Sequence, residues 1–420
     1  MKVYKFGGAS VKDAEAVRNV ATILRNMGGP DLLVVVSAMG KTTNSLERLA
    51  KAYSENSTEK YSLFSEIKSF HDGIIAELLP DTNVSAFDEI ENLFIELECD
   101  LETPVESDFD QIYDQIVSYG ELFSTKIVSA YLNASGIKNR WMDARNFITT
   151  DSTFREGKVN WETTQRLIEQ KLSPIVRKQM VITQGFIAKS ADNLTVTLGR
   201  EGSDYSAAIF AFGLQASEVS IWKDVAGVMN GDPKLFPDAI KLNALSYPRA
   251  IEMAFYGATV IHPKTIQPLQ SKHIPLYVKS FVNPQQEGTC VGVAKEQEDQ
   301  IPAYIVKGNQ VLLSIRSRDF SFIVEEKLSR LFDLFARFQI KVNLMQNSAI
   351  SFSVCINNDE RKIPALLSQL SEEFNVKENE PVTLFTISNY QNQDFSHLLN
   401  GRKILVEQRT RTTLQWVLQE

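Results

Sequence analysis

Two hydrophobic periods alternate along the first part of the chain. Val3-Tyr4-Lys5-Phe6 is a short strand-like run closed by Gly7-Gly8, and Leu32-Leu33-Val34-Val35-Val36 is a continuous run rich in β-branched residues. Continuous runs of this kind are strands covered on both faces, which implies a parallel sheet between helices. Met180-Val181-Ile182-Thr183 and Val219-Ser220-Ile221-Trp222 read the same way, with helical spacing between them from Ser203 to Phe212. Ser10, three residues before Asp13, is predicted to cap a helix running through Ala14, Val17 and Val20-Ala21. The alternation predicts an α/β layered domain.

Residues 54–101 break this alternation. They are rich in Glu, Ser, Leu and Phe at helical spacing, with Gly73 the only glycine, and predict a helical insertion that serves as a lid or an oligomer contact. Residues 285–302 are polar and glycine-bearing and read as a linker. Beyond them the pattern restarts. Strands are predicted at 311–315, 341–345, 350–356 and 382–387, and helices at 322–338 and 363–374. The order βαββαβ is the ferredoxin-like arrangement. After the 382–387 strand comes little helix, and then two more strand-like runs, 403–406 and 412–418.

Composition narrows the function classes. A length of 420 residues predicts two or three domains, and 43% hydrophobic with 23% charged residues is ordinary globular usage. A formal charge of −8 argues against a nucleic-acid partner, whose footprint is a basic patch. Three scattered cysteines without metal-ligand spacing fit a reduced cytoplasmic protein, and four histidines with no paired spacing argue against a zinc enzyme. No stretch approaches the ~20 apolar residues that span a bilayer, and the opening MKVYKFGGAS lacks the pattern of a signal peptide.

Four motifs could carry chemistry. In Lys5-Phe6-Gly7-Gly8-Ala9-Ser10 a strand delivers a lysine, two glycines let backbone approach a ligand, and a helix start follows, which together suit a phosphate. A ligand-free strand–turn–helix is an equal alternative. In Thr197-Leu198-Gly199-Arg200-Glu201-Gly202-Ser203-Asp204, Ser203 is the expected N-cap and Arg200 can grip a carboxylate or phosphate. Lys223-Asp224 ends a buried strand, where open α/β sheets place ligands, though solvated charges on a turn look the same. Glu121, in Ser118-Tyr119-Gly120-Glu121, reads by itself as an exposed helix residue.

Taken in order, these pieces resemble the aspartate kinases of the amino acid kinase family. KFGGAS is similar to that family's opening KFGGTS. VVVSAMGKTTN, SYGELFS, TLGREGSDYSA, IWKDVAGVMNGDP and FYGATVIHP follow at the expected places. The resemblance covers residues 1–292 as a catalytic domain. It implies an amino acid kinase-like, parallel-rich α/β sheet layered by helices. The 303–420 region resembles ACT domains, ferredoxin-like α+β units of regulation and dimerisation, with the second unit apparently truncated.

The resemblance also implies roles. Lys5, Gly7 and Gly8 would face the transferred phosphoryl group, and Lys5, Gly8 and Asp204 form the catalytic set. Ser37 and Thr43 would lie by the substrate. Glu121 would take the aspartate ammonium, and Arg200 its α-carboxylate, with Ser203 beside it. Lys223, Asp224, Met229, Lys234 and Thr259 fall at the nucleotide. The implied reaction turns ATP and L-aspartate into ADP and 4-phospho-L-aspartate with Mg²⁺, the entry to lysine, threonine and methionine. The resemblance further implies a homodimer, with lysine or threonine as effector. The predicted effector loop runs from Ser317 through Asp319 to Ser321, facing Asn343, Gln346 and Asn347. Three positions depart from the pattern: Ala9 for Thr, Met229 for an aromatic residue, and Thr259 for a lysine near the phosphates. Two other readings therefore stay open, a kinase for another small acid such as N-acetylglutamate and a catalytically weak amino-acid sensor.

Overall fold

The computed structural model describes residues 1–79, 84–258, 261–292, 301–319, 321–391, 395–399 and 401–420. Thr259, part of the 285–302 stretch and Phe320 lie outside them. The chain divides into two units. The first takes Met1–Val228, Lys241–Ile251 and Val260–Asp299, and the second takes Met229–Ile240, Glu252–Thr259 and Gln300–Glu420.

The strands of the first unit are β1 (Lys2–Phe6), β2 (Leu32–Val36), β3 (Asn139–Trp141), β4 (Thr149–Thr150), β5 (Met180–Gln184), β6 (Ile187–Ser190), β7 (Thr195–Thr197), β8 (Glu218–Lys223), β9 (Ala244–Ser246), β10 (Leu276–Ser280) and β11 (Thr289–Gly292). Eight form one sheet in the order β3-β5-β2-β1-β8-β10-β11-β9. Every neighbouring pair in it is parallel except β10 and β11. All five residues of β2 are buried, as expected of a strand with helices on both faces. On β1 and β8, Phe6 and Trp222 stack with ring centroids 5.9 Å apart. The remaining strands, β4, β6 and β7, make a small separate sheet.

The helix after β1 is Ala14–Met27, burying Val17, Val20, Ala21 and Leu24. Its cap is Asp13 and not Ser10. The extended backbone at Asp13 lets its carboxylate accept the Ala16 N–H at 2.8 Å, whereas Ser10 is buried in a 3₁₀ turn, Gly8–Val11. The expected insertion contains two helices, Glu59–Leu78 and Val84–Glu102. Phe94 of the second stacks 4.1 Å from Phe123 of the long Phe109–Ala134 helix, which fixes the insertion to the core.

The second unit holds one antiparallel sheet of β12 (Ala303–Ser317), β13 (Val342–Asn347), β14 (Ser351–Asn357), β15 (Phe374–Ser388), β16 (Ile404–Arg409) and β17 (Thr413–Gln419), in the order β13-β14-β12-β15-β17-β16. The first four strands, with helices Glu325–Arg337 and Ile363–Leu370, give the ferredoxin-like order. Their core gathers Leu313, Ile315, Leu331, Phe335, Phe352 and Leu366. The predicted strands 311–315 and 382–387 are halves of two 15-residue strands. β15 continues through both halves of the sheet, and β16 and β17 extend it; among the described residues before β16 there is a 3₁₀ turn, Ser396–Leu399.

Candidate active site

β2, β1 and β8 are parallel neighbours, so their C-terminal ends open on the same side of the sheet. The chain leaves β1 for β2 on one flank and returns to β8 on the other. A crevice at such a reversal is where open α/β sheets hold ligands. Here a cavity of about 500 Å³ is lined by residues at or just beyond the C-terminal ends of all three strands.

Its centre is a chain of ion pairs. Lys5 Nζ stands 2.6 Å from Oδ1 of Asp204, and Lys223 Nζ stands 3.2 Å from Oδ2. Asp204 lies in the first turn of the Gly202–Leu214 helix and is only 2% exposed. Burial raises its carboxyl, but the two ammonium groups outweigh that and hold it below the ordinary carboxylate range. The three charges sum to one net cation beside a helix N-terminus, an arrangement that favours anions. Gly8 closes the floor. A Cβ there would lie 2.8 Å from the Ala38 carbonyl and 2.9 Å from that of Gly40, so only glycine lets the two turns meet.

Glu121 is not the exposed residue its local sequence suggests. It is 2% exposed on the Phe109–Ala134 helix, with Oε1 accepting the Ala38 N–H at 3.3 Å and Oε2 buried without a hydrogen-bond partner. Burial pushes its carboxyl up to about 8, against the opposing Ala38 bond and the Lys5 charge. A carboxylate lining a cavity with one oxygen unmet is a natural acceptor for a cationic group.

Arg200, from the turn before the Gly202–Leu214 helix, and Ser203, from its first turn, line the same cavity. The residue ahead of that helix is Glu201, not Ser203. Glu201 takes a left-handed conformation (φ 54), which starts the helix at Gly202 and places Ser203 within its first turn. Glu201 lines the cavity with a buried Oε2, and burial raises its carboxyl against the pull of Lys223.

The fold thus gathers Lys5, Gly8, Ser37, Thr43, Glu121, Arg200, Ser203, Asp204 and Lys223. Gly7 sits beside them, its missing Cβ 3.3 Å from Lys5 Nζ. Lys223 is half-buried and paired, not a solvated turn charge. Asp224 follows it on the exposed side and does not line the cavity. Met229 and Lys234 belong to the second unit. Tyr113, Arg155, Phe186, Thr197 and Glu201 also line the cavity. No glycine pattern marks Tyr113 or Arg155. A signal for Phe186 was available in Gly185, directly after β5, since glycine at a strand end marks close approach.

The expected effector residues do not all come together. In β13 and β14, Asn347 pairs with Phe352 and Val342 with Ile356, while in β12 Ile315 pairs with Phe352 and Gln310 with Asn357. Gln346 and Asn347 therefore lie level with the loop that follows Ser317, and Asn343 lies at the opposite end of the strands. Asn343 does not face the loop. Its amide donates to Gln310 and Asn357, both at 2.7 Å, and accepts from the Lys307 ammonium at 3.0 Å. The loop instead meets Lys327, whose ammonium donates to Ser317 Oγ at 2.8 Å and to Ser321 Oγ, and stands 3.6 Å from Asp319.

Comparison with known proteins agrees with this architecture. Residues 1–280 match the amino acid kinase family. Lysine-sensitive aspartokinase 3 of Escherichia coli is 32% identical over 392 residues, covering 92% of this chain and 86% of that protein. The chloroplastic aspartokinase 1 of Arabidopsis thaliana is 32% identical over 414 residues, covering 96% of this chain and 69% of that one. The crystal structure of E. coli aspartokinase III in complex with aspartate and ADP (R-state) superposes with a TM-score of 0.85 at 28% identity, covering 100% of this chain and 96% of the other. With identity of this level running almost end to end and the same fold beneath it, the chain belongs to the amino acid kinase family, among its aspartokinases.

Proposed function

We propose that this chain transfers the γ-phosphoryl group of ATP to the β-carboxylate of L-aspartate, giving ADP and 4-phospho-L-aspartate. The observation that carries this reading is the placement of one buried carboxylate with an unmet oxygen, Glu121, in the same cavity as Lys5, Arg200 and Lys223. Such a cavity suits a zwitterion bearing an extra carboxylate. In this proposal Glu121 takes the α-ammonium and Arg200 the α-carboxylate, with Ser37, Thr43 and Ser203 beside them. An N-acylated acid has no cation to offer Glu121, which disfavours N-acetylglutamate.

The β-carboxylate is ionised at neutral pH, so the nucleophile needs no general base. What the reaction requires is alignment and cationic stabilisation of the moving phosphoryl group. Lys5, held by a strand and by Asp204, supplies the cation, and the Gly7-Gly8 turn brings backbone close to the phosphates. Lys223 and Asp224 are proposed for the nucleotide. Among the described residues no group of three or more side chains gathers as metal ligands. Mg²⁺ is proposed to arrive with the nucleotide, where it would neutralise phosphate charge.

Residues 1–292 are proposed as the catalytic domain. Residues 303–420 are proposed to join two copies into a homodimer and to receive lysine or threonine at the Ser317–Ser321 loop. The lysine sensitivity of the E. coli relative supports lysine as the first candidate. No helix among the described residues is long and apolar enough to cross a membrane, and a cytoplasmic location is part of the proposal.

A coupled assay of ADP release across a panel of amino acids and N-acyl acids tests the reading. Turnover confined to aspartate is the expected result. Binding of aspartate without turnover would instead favour a sensor.

A further inference from the structure

The Phe109–Ala134 helix buries a second carboxylate, Asp114, seven residues before Glu121 and so on the same face two turns away. Asp114 is fully buried. Its Oδ2 accepts the backbone N–H groups of Arg155 at 2.8 Å and Thr197 at 2.9 Å, and its Oδ1 accepts the Thr197 hydroxyl at 2.6 Å. Burial raises this carboxyl while the three donors oppose the rise.

Those donors come from two separate segments, and both reach the cavity. Thr197 ends β7 and leads directly into the turn carrying Arg200. Arg155 is held in the left-handed region (φ 64), uncommon for a residue with a side chain. The two segments also interlock. The Gly157 N–H donates to the Thr197 carbonyl at 2.9 Å, and the Arg155 carbonyl lies 3.2 Å from where a Cβ on Gly199 would stand. One carboxylate on the helix of Glu121 therefore fixes the loop of Arg155 and the root of the Arg200 turn.

We propose that Asp114 is a positioning residue of the active site, which sets the spacing between Glu121 and Arg200 and so the fit of the substrate's ammonium and carboxylate ends. This rests on the aspartate kinase reading. Asp114 touches no substrate. It acts through Thr197 and Arg155, and its loss leaves Glu121 and Arg200 present but out of register. Misplacement of this kind costs on the order of 10–100-fold in productive binding.

The test compares wild type with Asp114→Ala, Asp114→Asn and Thr197→Val, each assayed well below its own melting temperature. Asp114→Ala should raise the aspartate KM on the order of 10–100-fold while the ATP KM moves less than about twofold. Asp114→Asn should fall between, because its amide oxygen can still accept both N–H groups and its NH₂ can donate to Thr197 Oγ1. Thr197→Val removes only the hydroxyl bond and should raise the aspartate KM several-fold. It carries the test if Asp114→Ala does not fold. A double variant no worse than Asp114→Ala alone would place both on one linkage. An unchanged aspartate KM in folded Asp114→Ala, or in Thr197→Val where the alanine variant does not fold, overturns the assignment. A wild-type chain without aspartate turnover overturns the functional reading along with it, so the two failures are distinct.

Discussion

The Lys5 ammonium stands 2.6 Å from one oxygen of Asp204, and Lys223 takes the other oxygen at 3.2 Å. Asp204 lies 199 positions beyond Lys5, yet the parallel pairing of β1 with β8 and the helix between bring all three together. The aspartate is the shared counter-ion that lets two lysines approach each other. Removing Lys5 leaves Asp204 paired with Lys223 alone and strips the group of its net positive charge.

Lys5→Ala should therefore lower kcat on the order of 10²–10³-fold, with a much smaller effect on the ATP KM, because the cation acts where phosphoryl charge develops. Lys5→Arg should rescue only in part. A planar guanidinium cannot take the place of a compact ammonium against the Gly7-Gly8 turn. Steady-state kinetics decide the matter, and a Lys5→Ala enzyme of near-normal kcat would reassign Lys5 to structure.

Glu121 gives a pH prediction of definite sign. Its carboxyl is raised from 4.5 to about 8, so the free protein holds a proton there at neutral pH. An ammonium ligand favours the carboxylate, so aspartate binding should release a proton below about pH 8, and affinity should rise as pH approaches that value. The raised group also favours the folded state below about 4.5, and that contribution is lost as pH rises through about 8. Glu121→Gln should flatten this part of the stability profile. Calorimetry in buffers of different ionisation enthalpy measures the proton count. No proton release at pH 7 by wild type would count against Glu121 as the ammonium partner.

Arg200→Ala should raise the aspartate KM on the order of 10–100-fold, the range expected for a lost charge-assisted pair, and leave the ATP KM nearly unchanged. Initial rates with each substrate varied separately read this directly. An ATP KM that rises instead would move Arg200 to the nucleotide.

Much of the framework was legible in the chain because burial on both faces leaves a plain signature. The apolar run of β2 has the predicted bounds, and β1, β5 and β8 differ by a residue or two at their ends. β15 was half hidden, because Glu378, Glu380 and Pro381 interrupt its apolar pattern while the backbone continues as strand. In the site, glycines and motif spacing pointed to Lys5, Gly8 and Arg200. Local pattern could not reveal the burial of Glu121, since the helix that holds it buries polar and apolar residues alike. Asp114 and Arg155 stayed invisible for another reason. Their meaning lies in hydrogen bonds between segments about 40 residues apart in sequence, which no window on the chain contains.

The effector loop yields the last prediction. Ser317, Asp319 and Ser321 offer two hydroxyls and a carboxylate, the acceptors a free amino acid's ammonium would seek. The Ser321 hydroxyl and backbone N–H, with Lys327 adding to them, hold the Asp319 carboxyl down at about 2, so it stays ionised at any physiological pH. The structure already supplies an ammonium: Lys327, from the first turn of the following helix, bonds both hydroxyls. A free lysine must displace this tethered one, which competes at high effective concentration. Lys327→Met keeps the apolar stem and removes the competitor. It should shift lysine inhibition of aspartate turnover to lower concentration, on the order of tenfold, with turnover in the absence of lysine unchanged. Asp319→Ala, made in the Lys327→Met background, should abolish that gain. Equal lysine response in wild type and Lys327→Met would show that the effector, if it acts, binds elsewhere than the Ser317–Ser321 loop.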